Sequence, residues 1–482
     1  MDISVAGYNI DIQQLKKIPG AAEIELTPEI ISASYARISR DPRPIGEIRE
    51  DARAQVDRAR RSNEQIVFGV GHSSIAEHAV YNIDVSGVSR YLIEEIQQSR
   101  LVSYTEKSQR YITLEDDFVL PDEIAESGLS DAFKTMIRKQ NKTYHELYEV
   151  LLPVTAGKYK NTIFDKKSTI EGLAKEDARY CVSLATQAQF GMTINARNLE
   201  AMLVRMFASR LQEGKQFAQR LYETIKEITP SLIKYVEPTV YKLKARETFE
   251  QYSRQQVTPD AATDDVKLLW CTENGDEHLL ASLLFTTSQM TFSRCCAVAK
   301  NLSEQEKEKL LKSIFASMHA YDSVLREFEN VEYLFELELS ATCFAQLKRH
   351  RMATIVTQPY DTSLGIVVPE ALAEVGREQQ FRDLIEATDA CYQQLCDAIG
   401  GESAAYILTN AHKRRVLMRL NARELYHFSR LRQDIHAQWD IRMLAKKMVD
   451  AAKESTPLTL MLCTGKSDFE ETKDALFAEQ IC

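Results

Sequence analysis

The most informative pattern in the chain is a hydrophobic period that changes in mid-segment. In "AVYNIDVSGVSRYL" (79–92) and "NVEYLFELELS" (330–340), apolar and polar positions alternate as on a half-buried strand. Each run then passes into helical spacing, as in "LFELELSATCFAQLK" (334–348). Elsewhere the 3.6-residue period dominates. The stretch "NARELYHFSRLRQDIHAQWDIRMLAKKMVDAAKE" (421–454) predicts one long amphipathic helix with Asn421 as its N-cap. Strands feeding helices in a helix-rich chain predict a mixed α/β or an α+β fold.

The pattern occurs twice. "GMTINARNLEAMLVRMFASRL" (191–211) and "VLMRLNARELYHFSRLRQDIHAQW" (416–439) both carry Asn-Ala-Arg-x-Leu at the start of a helix. Each is preceded by one of the strand-to-helix segments, "VSGVSRYLIEEIQQSR" (85–100) or "LELSATCFAQLKRHR" (337–351). The two halves read as diverged copies of one domain, residues 1–240 and 268–482. A polar, charged linker over 241–267 separates them.

Composition narrows the function classes. The 482 residues include 60 basic and 70 acidic side chains, a net charge of −10, which argues against a general nucleic-acid or anionic-membrane surface. Any anion site must be local. Nine cysteines without metal-ligand spacing or a disulfide framework read as reduced core thiols, and no metal site is expected. No targeting pattern opens the chain and no apolar run approaches membrane-spanning length, so a soluble, cytoplasmic protein is expected. "CTGKSD" (463–468) is no phosphate loop, because Leu460 stands where its first glycine belongs.

The local cation run is Arg349, His350 and Arg351. Alone, it reads as the cationic last turn of a helix. With its surroundings, the chain resembles the flavin-dependent thymidylate synthases, whose mark is R-H-R-x-x-S-x-N-E-x-S-x-R-Y. In that family a G-H-x-S-x-x-E-H segment precedes the mark, and N-A-R-x-L and a late L-R-x-x-x-H-A-Q-W-E-I helix follow it. Here "FGVGHSSIAEHAV" (68–80) and "LRQDIHAQWDI" (431–441) match the outer segments.

The central motif is divided between the copies. "QQSRLVSYTEKSQRY" (97–111) keeps Arg100, Ser103, Glu106, Ser108, Arg110 and Tyr111 but has Gln98 and Ser99 where Arg-His belongs, and Thr105 for Asn. "KRHRMATIVTQPYD" (348–361) keeps the cations but has Thr357, Pro359 and Asp361 where Glu, Ser and Arg belong. Arg179, sixteen positions before Asn195, has Ala405 as its counterpart. Arg432 and His436 have Met206 and Arg210 as theirs, and Gln346 has Glu95.

The resemblance implies two tandem copies of that fold, helices packed on a small mixed sheet, and an enzyme that methylates dUMP to dTMP. FAD would be the cofactor, methylenetetrahydrofolate the carbon donor and NADPH the reductant. It assigns dUMP or a related pyrimidine nucleotide to Gln346, Arg349, Glu106, Ser108, Arg110 and Arg179. Flavin contacts fall to His72, Ser74, Glu106, Arg349, His350, Arg351, His436 and His427, the last standing for a family Asn. Asn195 with Arg197, or Asn421 with Arg423, would meet adenine or diphosphate. Arg432 would be catalytic, stabilising charge at N3 of the pyrimidine, with His436 four residues on expected on the same helix face. Family sites lie between subunits, so the complementary losses imply a homodimer acting as a pseudo-tetramer of four copies. Two sites would be complete and two dead. The alternatives are alkylation or hydroxymethylation of another pyrimidine nucleotide, or a non-catalytic flavin or nucleotide binder.

Overall fold

The computed structural model describes residues 1–13, 26–38, 40–109, 117–253 and 264–478. The chain forms two compact units: Met1–Asp260 with Val375–Leu408, and Ala261–Glu374 with Thr409–Cys482. Each contains one four-stranded sheet. In the first unit β1 (Asp2–Tyr8), β2 (Val80–Ser89), β3 (Ser103–Glu106) and β4 (Gln187–Asn195) lie in the order β1-β2-β4-β3. In the second, β5 (Val266–Cys271), β6 (Glu332–Ser340), β7 (Thr354–Tyr360) and β8 (Lys413–Asn421) lie in the order β5-β6-β8-β7. Registers agree as well as order: Ser103 faces Thr193 and Glu106 faces Phe190, as Thr354 faces Arg419 and Thr357 faces Val416.

The α+β expectation and the duplication therefore hold, with one correction. The sheets are antiparallel at every named pairing, not mixed. The chain reverses between neighbouring strands, so no βαβ crossover brings two of them parallel. β1 and β5 are edge strands that the sequence reading did not separate from the N-terminal segment and the linker.

Six helices frame the sites: α1 (Arg90–Ile96), α2 (Ala196–Phe207) and α3 (Gln212–Lys226) in the first unit, and α4 (Ala341–Leu347), α5 (Ala422–Arg432) and α6 (Trp439–Ser455) in the second. The alternation in β2 buries Tyr81, Ile83 and Val85; in β6 it buries Tyr333, Phe335, Leu337 and Leu339. Each tyrosine hydroxyl pairs with a buried threonine, Tyr81 with Thr229 and Tyr333 with Thr456, both at 2.7 Å.

The turn from strand to helix uses the same device twice. Ser89 Oγ accepts from Leu92 N (2.9 Å), capping α1, and donates to Glu213 Oε2 (2.6 Å) at the start of α3. Ser340 Oγ accepts from Cys343 N (3.0 Å), capping α4, and donates to Asp440 Oδ2 (2.5 Å) at the start of α6. A serine that both caps a helix and holds the carboxylate of another fixes where the chain leaves the sheet. β2 carries one extra residue at a bulge between Ser86 and Val88. Gly87 there has φ +70°, and a Cβ would lie 3.0 Å from Met1 N, so the position requires glycine.

The helix predicted over 421–454 is two helices, because Asp434 turns the chain: its Oδ1 accepts from His436 N (2.9 Å), and Gln438 caps α6 by accepting from Asp440 N (3.2 Å). Asn421 does cap α5, accepting from Glu424 N (2.9 Å). The segment expected as linker begins with the helix Val240–Ser253, and 254–263 lie outside the described residues.

Residues 375–408, from the second sequence copy, pack within the first unit. Gln140 Nε2, on the helix Ser130–Lys158, donates to Thr388 Oγ1 (3.1 Å) and Ile407 O (3.0 Å), and Leu184 N donates to Leu408 O (2.8 Å).

Ser340→Ala removes the cap of α4 and leaves Asp440 without that donor. It is expected to cost about 1–2 kcal/mol of stability, read from the midpoint of a urea unfolding curve.

Candidate functional site

Each unit carries described residues of one part of the divided motif. In the first, Glu106 ends β3 with its side chain 2% exposed, ion-paired to Arg90 at the start of α1. Its second oxygen accepts from Gln97 Nε2 (3.1 Å). Arg90 is buried too, so this carboxylate orients an arginine. Ser108 follows, half-buried, while Arg110 and Tyr111 lie outside the described residues.

Arg179 is 6% exposed and opens a 3-10 turn after the helix Lys167–Ala178. His72 and Ser74 are exposed at the start of the 3-10 helix Ser73–His78. Tyr104 donates its hydroxyl to Ile96 O (3.1 Å) and meets Phe190 edge-on.

In the second unit the cation run alternates in exposure. Arg349 and Arg351 are exposed; His350, between them, is 3% exposed. Arg432, the last residue of α5, donates from Nε to His350 Nε2 (2.9 Å) and from Nη2 to Gln346 O (3.3 Å). A guanidinium only donates, so His350 Nε2 is the acceptor and Nδ1 carries the proton, which it directs to Glu424 Oε1 at 3.2 Å. Burial, then Arg432 and His427, holds the imidazole well below the usual histidine range, and it is neutral. Burial also raises the Glu424 carboxyl. Phe428 packs edge-on against the imidazole at 4.7 Å, and exposed His427 lies edge-on at 5.8 Å. Gln346 Nε2 donates to Gln438 Oε1 (3.4 Å).

Two expectations change. His350 has both ring nitrogens committed inside the protein, so the exposed cations of the run are Arg349 and Arg351. Arg432 and His436 do not share a helix face, since α5 ends at Arg432. His436 stands in the following turn, its side chain 70% exposed and bonded to Asp434 (2.8 Å).

The two Asn-Ala-Arg segments behave alike. Asn195 caps α2 by accepting from Asn198 N (2.9 Å), as Asn421 caps α5. Arg197 pairs with Glu77 and Arg423 with Glu329 (2.8 Å), each acid in a 3-10 turn before the sheet's second strand.

Laid side by side, the copies lose interacting partners together. Arg90, Gln97 and Glu106 have Ala341, Lys348 and Thr357 as counterparts; Glu424, His350 and Arg432 have Asn198, Ser99 and Met206. In the first copy Arg205, one position before Met206, reaches inward instead. It donates to Glu95 O, Ile96 O (3.1 Å) and Ser99 Oγ (2.9 Å), and burial lowers its pKa. Arg210, the counterpart of His436, pairs with Glu250 and Glu402 (3.2 Å). Sequence reasoning missed Arg90, Gln97, Glu424 and Arg205.

Among the described residues no group of His, Cys, Asp or Glu is placed to hold a metal ion, and no helix is long and apolar enough to cross a membrane. The eight described cysteines are free thiols.

Comparison with known proteins gives a consistent picture. The family model described as thymidylate synthase complementing protein matches the chain twice, over residues 24–231 and 268–458. A UPF0159 protein of Thermoplasma acidophilum is 22% identical over 479 residues, covering 89% of this chain and 92% of that one. A flavin-dependent thymidylate synthase of Saccharolobus solfataricus is 30% identical over 199 residues, 40% of this chain and 74% of its own. One from Clostridium tetani is 28% identical over 217 residues, 44% of this chain and 83% of its own.

Arg205→Met strips donors from two carbonyls and a hydroxyl. It is expected to destabilise the protein by about 2–4 kcal/mol, whereas the partly exposed Arg210→Met costs less than about 1 kcal/mol. Chemical denaturation of both variants checks the difference.

Proposed function

The chain belongs to the thymidylate synthase complementing protein family, in two tandem copies, and from that premise we propose that it is a FAD-dependent thymidylate synthase-like enzyme. It converts dUMP to dTMP with methylenetetrahydrofolate as carbon donor and NADPH as reductant. The observation that carries this reading is the built half-site in which His350 and Gln346 hold Arg432. It accompanies a phosphate-type donor set in the other copy.

A nucleoside monophosphate carries close to two charges, so its phosphate needs several charge-assisted donors. Arg179, Arg110 and Ser108 are of the right kind. Glu106 acts through Arg90, which it orients. The exposed guanidinium groups of Arg349 and Arg351 suit the diphosphate and anionic ring of FAD, as do His72 and Ser74 from the other copy, while Gln346 suits the nucleotide. When bound, reduced FAD supplies the hydride that completes the methyl group. Arg432 stabilises the negative charge that develops at N3 and the adjacent carbonyl of the pyrimidine, leaving C5 electron-rich.

Because the phosphate end survives in the first copy and the pyrimidine end in the second, each working site combines a first copy with a second. A homodimer then holds two working sites and two vestigial ones. The eight free thiols support a cytoplasmic setting. Thr105 and His427, each where the family has Asn, favour a second reading in which a different pyrimidine nucleotide is alkylated.

Purified protein is expected to release tritium from C5-labelled dUMP and to form dTMP. A yellow protein without tritium release would contradict the synthase reading, and release with a product of another mass would favour the second. Arg432→Ala is expected to lower kcat about 10²- to 10³-fold. Mixing Arg110→Ala and Arg432→Ala chains restores about a quarter of wild-type activity if the two residues of a site come from different chains of a dimer. No recovery after verified exchange would place both in one chain.

A further inference from the structure

We propose that Glu424 and His350 are positioning residues that aim the Arg432 guanidinium at the pyrimidine by locking the imidazole in one tautomer. The inference rests on the role given to Arg432 above.

The geometry is a linear chain of contacts in the second unit. Glu424 Oε1 lies 3.2 Å from His350 Nδ1, His350 Nε2 accepts from Arg432 Nε at 2.9 Å, and Gln346 O accepts from Nη2 at 3.3 Å. Both Glu424 and His350 are nearly inaccessible, and Phe428 packs on the ring. An imidazole protonated at Nε2 would present a donor to a group that only donates. Glu424 removes that option by accepting a hydrogen bond from Nδ1–H, which keeps the proton on that nitrogen, and a doubly protonated ring is disfavoured by burial and by Arg432 itself. The guanidinium then has its Nε and one Nη2 proton committed, which fixes its plane. This use of a buried acid to choose a tautomer is the general logic of carboxylate–histidine pairs.

The first copy is an internal control. With Asn198 for Glu424 and Ser99 for His350, it also has Met206 for Arg432, and its neighbouring Arg205 turns into the protein to bond backbone carbonyls and Ser99. Where the acid and the imidazole are missing, no arginine is presented from that helix position. The relay and the residue it serves are present together or absent together.

The test uses the full-length, flavin-loaded protein and 5-fluoro-dUMP, whose 19F resonance reports ionisation at N3. Bound to wild type, the analogue's N3 is expected to titrate at least about one pH unit below its free value. Glu424→Gln keeps an oxygen to accept from Nδ1 and is expected to retain that shift. Glu424→Leu, which removes the acceptor of Nδ1–H and no hydrogen bond of Arg432, is expected to lose most of it and to lower kcat about 10- to 100-fold. Binding of the analogue, anchored through its phosphate, changes less than about threefold, under 0.7 kcal/mol by the affinity scale. His350→Gln, which still offers an acceptor, is expected to fall between wild type and His350→Leu.

Equal shifts in Glu424→Leu and Glu424→Gln would overturn the relay, as would parallel losses of binding and shift in both. Absence of any shift in wild type would instead overturn the role of Arg432. Melting curves of the two Glu424 variants separate loss of aim from loss of fold: an unfolded Glu424→Leu beside a wild-type-like His350→Leu also rejects the relay.

Discussion

A buried guanidinium, carboxylate or imidazole is tolerated only when its partners are buried with it. That constraint organises both halves of this chain. Glu106 is inaccessible because Arg90 and Gln97 meet its two oxygens. His350 is inaccessible because Glu424 and Arg432 take its two nitrogens. Removing one member of such a set is costly, and removing all of them is not. The copy that lacks Glu106 accordingly lacks Arg90 and Gln97 as well, and the copy that lacks Arg432 lacks its histidine and its acid. Divergence after duplication has therefore proceeded by whole interacting sets.

The scaffold under these sets diverged much less, for a related reason. Ser89 with Glu213 and Ser340 with Asp440 close the same strand-to-helix turn, and Tyr81 with Thr229 and Tyr333 with Thr456 close the same core contact. The serine pairs fix where each strand passes into its helix, and so place Arg90 and Gln346 on the helices that follow. Arg205 shows what a vacated site requires: the carbonyls and hydroxyl that a site arginine would have met still need a donor, and a neighbouring arginine on the same helix supplies it.

Much of this was legible from the residue order, because motif spacing and the change from period two to 3.6 are local signals. The duplication, the strand-to-helix turns, the Asn421 cap and the divided motif are all of that kind. The edge strands β1 and β5 were not, since half-buried edges alternate weakly. The single helix expected over 421–454 failed at Asp434, whose short side chain offers the backbone a turn that periodicity does not register. Pairings such as Glu424 with His350 join residues 74 positions apart and depend on the fold. A trace of them is nonetheless visible in sequence, in the joint substitutions between the copies.

In the arrangement proposed for this chain the two copies divide one site between them, so that each chain owns half of two sites and the equivalent of one whole. The most direct measurement is the amount of FAD and of dUMP held per chain at saturation, from flavin absorbance and equilibrium dialysis against a chain concentration fixed by amino-acid analysis. A divided site holds one of each per chain. Two of each would show that both copies remain competent, and none would show that the divided motif no longer forms a site.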